Sequence, residues 1–158
     1  MINLAIVVAV AEYSNGLNSL PGCKQDGEAI SCILTNESRF IDVLIIDSNT
    51  SSKSVKTRIV EFATKHKNEE IGDFVFYYTG YGGYDKDDFY YLLSDYRKTR
   101  RNSTALQNSE LDDSNRSHSP VHRSNDAESV AVRIAKQGLR VGANRILRLV
   151  CLTDSTPT

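Results

Sequence analysis

Asp73-Phe-Val-Phe-Tyr-Tyr-Thr-Gly-Tyr-Gly-Gly-Tyr84 is the stretch that decides how this chain is read. Its first half, Phe74–Tyr78, is β-branched and aromatic, the composition of a buried strand. Its second half contains Gly80, Gly82 and Gly83, which let the backbone turn sharply and leave room for a ligand. In open α/β sheets, ligands bind beyond the carboxyl ends of the strands. The stretch therefore predicts a strand that delivers one side chain, Tyr81, to a candidate site.

Working outward, strand-like runs occur at Leu4–Val10 and Asp42–Ile46. Between them, Asp26–Thr35 places Ala29, Ile30, Ile33 and Leu34 at helical spacing, with Asp26 and Glu28 near the positive end of the helix. Between the second and third strands, Ser54–His66 carries an apolar stripe of Val55, Ile59, Phe62 and Ala63, and Ser51 or Ser52 is positioned to cap it. Strand–helix–strand–helix–strand predicts an α/β fold with a parallel sheet and right-handed crossovers. Tyr90–Leu93 reads as a further extended segment, and Asn108–Asp113 as the start of another helix.

The character of the chain changes after Asp113. Residues 114–158 carry seven basic side chains against three acids, a net of +4; residues 1–113 carry twelve against seventeen, a net of −5. The stretch 114–125 is rich in Ser, His and Arg without apolar periodicity and is expected to be unstructured, while Arg145–Leu152 alternates weakly, as a strand would. Two regions follow: a domain at 1–113 and a divergent tail at 114–158.

A net charge of −1 and the absence of a basic stripe argue against a nucleic-acid or membrane-surface partner. The apolar run Asn3–Ala11 lacks a basic flank and is short for a membrane span, so a first buried strand is expected. Cys23, Cys32 and Cys151 are too few and too scattered for a disulfide framework or a zinc site, which makes a reducing cytoplasm the expected location. Asp47, at the end of the second strand, would suit a receiver or nucleotide-binding domain, but no Gly-x-Gly-x-x-Gly or phosphate loop accompanies it.

Four segments carry a family resemblance in their order along the chain. They are Ala5–Val10 with Glu12-Tyr13, Leu20–Asp26, Asp73–Gly83, and Asp87–Asp95. Together they resemble the caspase-like peptidases of the metacaspase and orthocaspase type, over roughly residues 4–113. The resemblance implies a caspase-like parallel-sheet sandwich of which this chain holds the larger-subunit portion, leaving the sheet unfinished. An unfinished sheet exposes a strand edge and invites self-association.

The chemistry implied by the resemblance is a Cys/His dyad, in which the imidazole activates a thiol that attacks a peptide carbonyl. The family's His position is occupied here by Tyr81. A phenol, with an ordinary pKa of about 10, is a poor general base and cannot carry the charge that stabilises a thiolate. The nucleophile pattern Asp-x-Cys-x-Gly is also missing. Cys151 follows an apolar run but lacks both the acid and the glycine, and His118 and His122 lie in a polar stretch and read as solvated. The expectation is a tyrosine-bearing, non-cleaving variant with a binding or regulatory role; the alternative is an active endopeptidase cutting after Arg or Lys.

The resemblance further implies a pocket for a basic side chain, lined by Cys23, Asp26 and Thr79 beside Gly80 and Gly82. A carboxylate there would form charge-assisted hydrogen bonds with Arg or Lys, making a basic protein or peptide the expected partner. The acids Asp85, Asp87, Asp88 and Asp95 offer hard oxygen ligands, and the resemblance singles out Asp95 as a calcium candidate. The aligned place for the companion acids is Asn108-Ser109, so a solvated acidic loop is the plainer reading and no cofactor is expected. The change of text at Asp113, where the nucleophile strand should begin, is what a frameshift would produce. Translating the other two frames downstream of that codon is then expected to reveal a strand followed by Cys and Gly; its absence from both overturns the frameshift.

Overall fold

The computed structural model describes residues 1–85, 88–107 and 140–154. The elements run β1 (Ile2–Ala9), α1 (Pro21–Asn36), β2 (Phe40–Ile46), α2 (Ser52–Lys65), β3 (Glu70–Asp85) and β4 (Asp88–Leu92). A 3₁₀ turn (Lys98–Arg100), α3 (Arg101–Thr104), β5 (Ala105–Gln107) and β6 (Arg140–Asp154) follow. The helix expected from Asn108 and the stretch 114–125, with His118 and His122, lie outside the described residues, as does Asp87.

The sheet has the order β2-β1-β3-β4-β5, with β6 added on β3. β1 runs parallel to β2 and β3, pairing Val7 with Ile45 and with Tyr77. β4 is antiparallel to β3 over Gly82–Asp85, and β6 is parallel to β3 along almost its whole length. Gly82 pairs with both Tyr91 of β4 and Asp154 of β6, so those strands lie on opposite edges of β3. β4 therefore continues the edge that β1 occupies up to Thr79. β6, containing the weakly alternating run Arg145–Leu152, pairs with the opposite flank of β3 and is itself the outer strand there among the described residues.

Alternation along β1 and β3 sends successive side chains to opposite faces. Leu4, Ile6, Val8, Phe76 and Tyr78 pack with Val55, Ile59 and Phe62 of α2. Ala5, Val7, Val75 and Tyr77 pack with Leu34 and Ile30 of α1. Both faces of the central strands are covered, which is why they read as continuous apolar runs rather than as alternating ones. Each fully buried aliphatic or aromatic side chain contributes about 1.5–3 kcal/mol by removal from water.

Two boundaries differ from expectation. α1 begins at Pro21, five residues before Asp26, because Pro at the first helical position lacks only an N–H that needs no partner there. The glycines after Tyr78 do not close a loop: β3 stays extended to Asp85, because β4 supplies ladder partners for Gly82, Gly83 and Tyr84. α2 is capped by Ser51, whose side chain accepts the Ser54 N–H at 3.4 Å. No helix among the described residues is long and apolar enough to cross a membrane.

At the amino end of the sheet, Asp42 Oδ2 accepts from Lys65 Nζ at 2.7 Å and lies 2.8 Å from His66 Nε2, while His66 Nδ1 lies 3.0 Å from Glu69 Oε2. These contacts tie the end of α2 to β2 and to the entry of β3. Partial burial pushes the Asp42 carboxyl up, but the hydrogen bonds and charges of Lys65 and His66 outweigh it, so the carboxyl titrates below its ordinary 3.8. A depressed carboxyl stabilises the fold above its unfolded pKa, and that contribution is lost as pH falls through the folded value. Asp42→Asn is expected to lower stability by about 1 kcal/mol at neutral pH, since the site is partly exposed and screened. In urea melts the gap to the parent should close in strong acid; a gap independent of pH would contradict the ion-pair account.

Candidate active site

The carboxyl end of β3 is held by two tyrosines from different elements. Tyr13, in the segment after β1, accepts the Tyr81 backbone N–H at 2.9 Å. Tyr78 donates to the Tyr81 carbonyl at 2.7 Å and to the Leu92 carbonyl at 2.6 Å, sharing its single proton. Tyr13 also reaches the Leu92 carbonyl, and the two phenol oxygens are 3.2 Å apart. Both backbone polar groups of Tyr81 are therefore taken by phenols. Burial pushes the Tyr13 hydroxyl up to about 12 and moves the fully buried Tyr78 well above its usual value, so both phenols stay protonated donors.

Gly80 lies between these groups. A Cβ there would come 2.5 Å from the Tyr78 hydroxyl and 2.6 Å from that of Tyr13, at a φ of +157°. Glycine is thus required by the space the phenols occupy as well as by the backbone.

Tyr81 itself is buried, at 7% exposure, in an apolar cluster with Tyr90, Leu92 and Ala105. Its ring lies 4.9 Å from that of Tyr13 and 60° out of plane with it. Leu17, Leu20 and Tyr96 close around the cluster. Its hydroxyl forms no hydrogen bond among the described residues. This is the environment of a packing aromatic: no carboxylate, imidazole or amide is bonded to the phenol to help it move a proton.

The expected pocket residues lie on two elements, α1 and β3. Cys23 and Asp26 belong to α1, not to a loop before it, and the first turn of that helix holds no acid. Gly27 packs so closely on β1 that a Cβ would come 2.5 Å from Cβ of Ala9, and Ala9 is the register partner of Thr79. The amino half of α1 therefore overlies the carboxyl ends of β1 and β3. Cys23 is buried, and so is Thr79, whose hydroxyl has no hydrogen-bond partner among the described residues. Asp26 is exposed, because its neighbour Gly27 takes the contact with the sheet. Gly82 lies half-buried in the β3–β4 ladder.

Asp95 has a mechanical role. Its carboxylate accepts from the Ser52 backbone N–H at 2.8 Å and from the Ser52 hydroxyl at 2.6 Å, at the positive end of α2. With both oxygens engaged there, Asp95 ties the segment after β4 to a helix. No group of three His, Cys, Asp or Glu side chains suited to a metal occurs among the described residues.

In the parallel β3–β6 ladder, Cys151 stands opposite Thr79, and Thr153 opposite Tyr81. The cysteine that reads as a tail residue is thus at the carboxyl edge of the sheet, on the strand beside the one bearing Tyr81. Sequence reasoning passed over Tyr13 and Tyr78. The available signal was Tyr78 inside an apolar run, since a buried tyrosine needs a partner for its hydroxyl.

Removing either phenol strands one backbone group of Tyr81, while the Leu92 carbonyl keeps the other phenol. Tyr78→Phe is expected to destabilise by about 1–3 kcal/mol, the cost of an unsatisfied buried carbonyl. Gly80→Ala is expected to cost about as much through overpacking, and Tyr78→Phe should relieve part of that cost in the double variant. Additive losses in chemical denaturation would show that the phenol and Gly80 do not share the site. Raised phenol pKa values also place a stability loss in alkali: the contribution is full below the ordinary tyrosine pKa and disappears as pH rises through the folded values.

The peptidase C14 caspase domain matches residues 2–114, ending before β6. A comparison with curated proteins returned no match. With the match covering most of the chain, from β1 through β5, the chain belongs to the caspase domain family.

Proposed function

We propose that this chain is a caspase-like domain that does not cleave peptides and acts by binding a basic side chain at the carboxyl edge of its sheet. The observation that carries this reading is the setting of Tyr81. The residue at the family's base position is packed among Tyr13, Tyr90, Leu92 and Ala105, with both its backbone groups bonded to phenols. A group so placed fills space and does not shuttle a proton. Asp26 supplies the charge for recognition, exposed on α1 above the edge, with the Thr79 hydroxyl, unpartnered among the described residues, on the strand beneath.

One observation favours the second reading, an endopeptidase cutting after Arg or Lys. The register puts Cys151 beside Thr79, on the strand that would have to carry a nucleophile. With Tyr81 in place of His, such a thiol lacks the imidazolium that would lower its pKa.

Fluorogenic peptides ending in Arg or Lys, assayed with and without calcium, separate the two. The expected result is no turnover, but binding of an Arg peptide that weakens about tenfold or more in Asp26→Ala, as loss of a charge-assisted pair implies. Turnover that disappears in Cys151→Ala overturns the proposal. Tyr81→His alone is expected to restore no activity.

A further inference from the structure

The segment after Asp95 reads Tyr96-Arg-Lys-Thr-Arg-Arg-Asn-Ser-Thr104, four cations in five residues with no acid before Glu110. Arg97, Lys98 and Arg100 are exposed, and their side chains make no ion pair or hydrogen bond among the described residues. Arg101 is different. Its guanidinium lies 5.2 Å over the Tyr90 ring, with Nε 3.5 Å from the Tyr96 hydroxyl.

The backbone beneath these cations is braced. Thr104, itself buried, accepts the Arg97 N–H at 3.0 Å through its hydroxyl and donates to the Arg100 carbonyl at 2.7 Å. The Arg100 N–H donates to the Arg97 carbonyl at 2.9 Å, and the Ser103 hydroxyl donates to the Arg100 carbonyl at 3.1 Å. From below, buried Lys56 donates to the Ser103 carbonyl at 3.2 Å. A solvated run of charge needs no such framework. Here three cations without a partner among the described residues project from a turn whose backbone is already ordered, which reduces the entropy lost when they close on an anion.

We infer that the turn Arg97–Arg101 is a docking surface for a short acidic segment of a partner protein, a site separate from the edge proposed for basic side chains. The patch is a single turn on a domain whose residues 1–113 carry a net of −5, so a long polyanion meets repulsion beyond it. Tyr90 is buried with one face beneath Arg101, leaving no open aromatic platform for nucleobases. No exposed large apolar side chain lies in the segment to enter a lipid surface; those described are Met1, Ile33 and Ile41. An acidic peptide matches both the size and the sign of the patch.

Fluorescence anisotropy on the full chain with labelled hexaglutamate tests the inference, with oligothymidylate of equal charge as the competing class. Hexaglutamate is expected to bind at low salt and to be released as ionic strength rises, because exposed pairs are screened. Arg97→Ala/Lys98→Ala/Arg100→Ala should weaken binding about tenfold or more, from several exposed pairs of modest strength acting together. The triple variant Lys24→Ala/Lys53→Ala/Lys67→Ala removes the same charge from exposed sites elsewhere and should change affinity less than about twofold. Absence of hexaglutamate binding at low salt, an equal loss in both triple variants, or tighter binding of oligothymidylate would each overturn the inference.

Discussion

The hydrogen bonds of two phenols to the backbone of one residue, Tyr81, hold the carboxyl edge of this domain together. Tyr13 comes from the segment after β1 and Tyr78 from β3, and both converge on the backbone of Tyr81 and the carbonyl of Leu92. Three separate pieces of chain meet there without a charged group. Because burial keeps both hydroxyls protonated across the physiological range, the arrangement does not depend on pH as a Cys/His site does. It fixes where the side chain at position 81 begins, and the aromatic cluster around Tyr81 fixes where it ends.

A second set of ties frames the first. Asp95 holds Ser52 at the start of α2, Ser94 donates its N–H to the Thr50 carbonyl, and the Ser94 carbonyl accepts the Ser14 N–H. The segments after β1, β2 and β4 are thereby bonded to one another at the carboxyl edge of the sheet. Loops joined in this way form a braced rim along the edge of the sheet.

The strands and helices were legible because their signals are local. The apolar run Phe74–Tyr78 and the stripe Val55, Ile59, Phe62 state their own burial. The start of α1 was not legible, because Pro21 and Gly22 resemble loop punctuation and only packing against Ala9 shows that Gly27 is a close contact within a helix. The course of the glycines was missed for a similar reason: Gly82 and Gly83 stay extended because β4 pairs with them, a partner no window around them contains. In the site, position 81 could be located from its own neighbours. The roles of Tyr13 and Asp95 depend on contacts with residues far along the chain, which spacing alone does not encode.

The placement of β6 bears on how the molecule reaches its fold. β3 ends at Asp85 and its second parallel neighbour begins only at Arg140, so that flank of the strand is completed by a segment far along the chain, synthesised well after it. β1, β2 and the two helices can assemble around β3 beforehand, since all of them precede it or adjoin it in sequence. Until β6 arrives, the peptide groups of Phe74–Tyr78 on that side face outward, ready to pair with any extended segment nearby. Non-local pairing of this kind is slow to form. The domain therefore passes through an interval in which β6 competes with other chains for the same row of hydrogen bonds, and the outcome of that competition is a matter of rate as much as of stability.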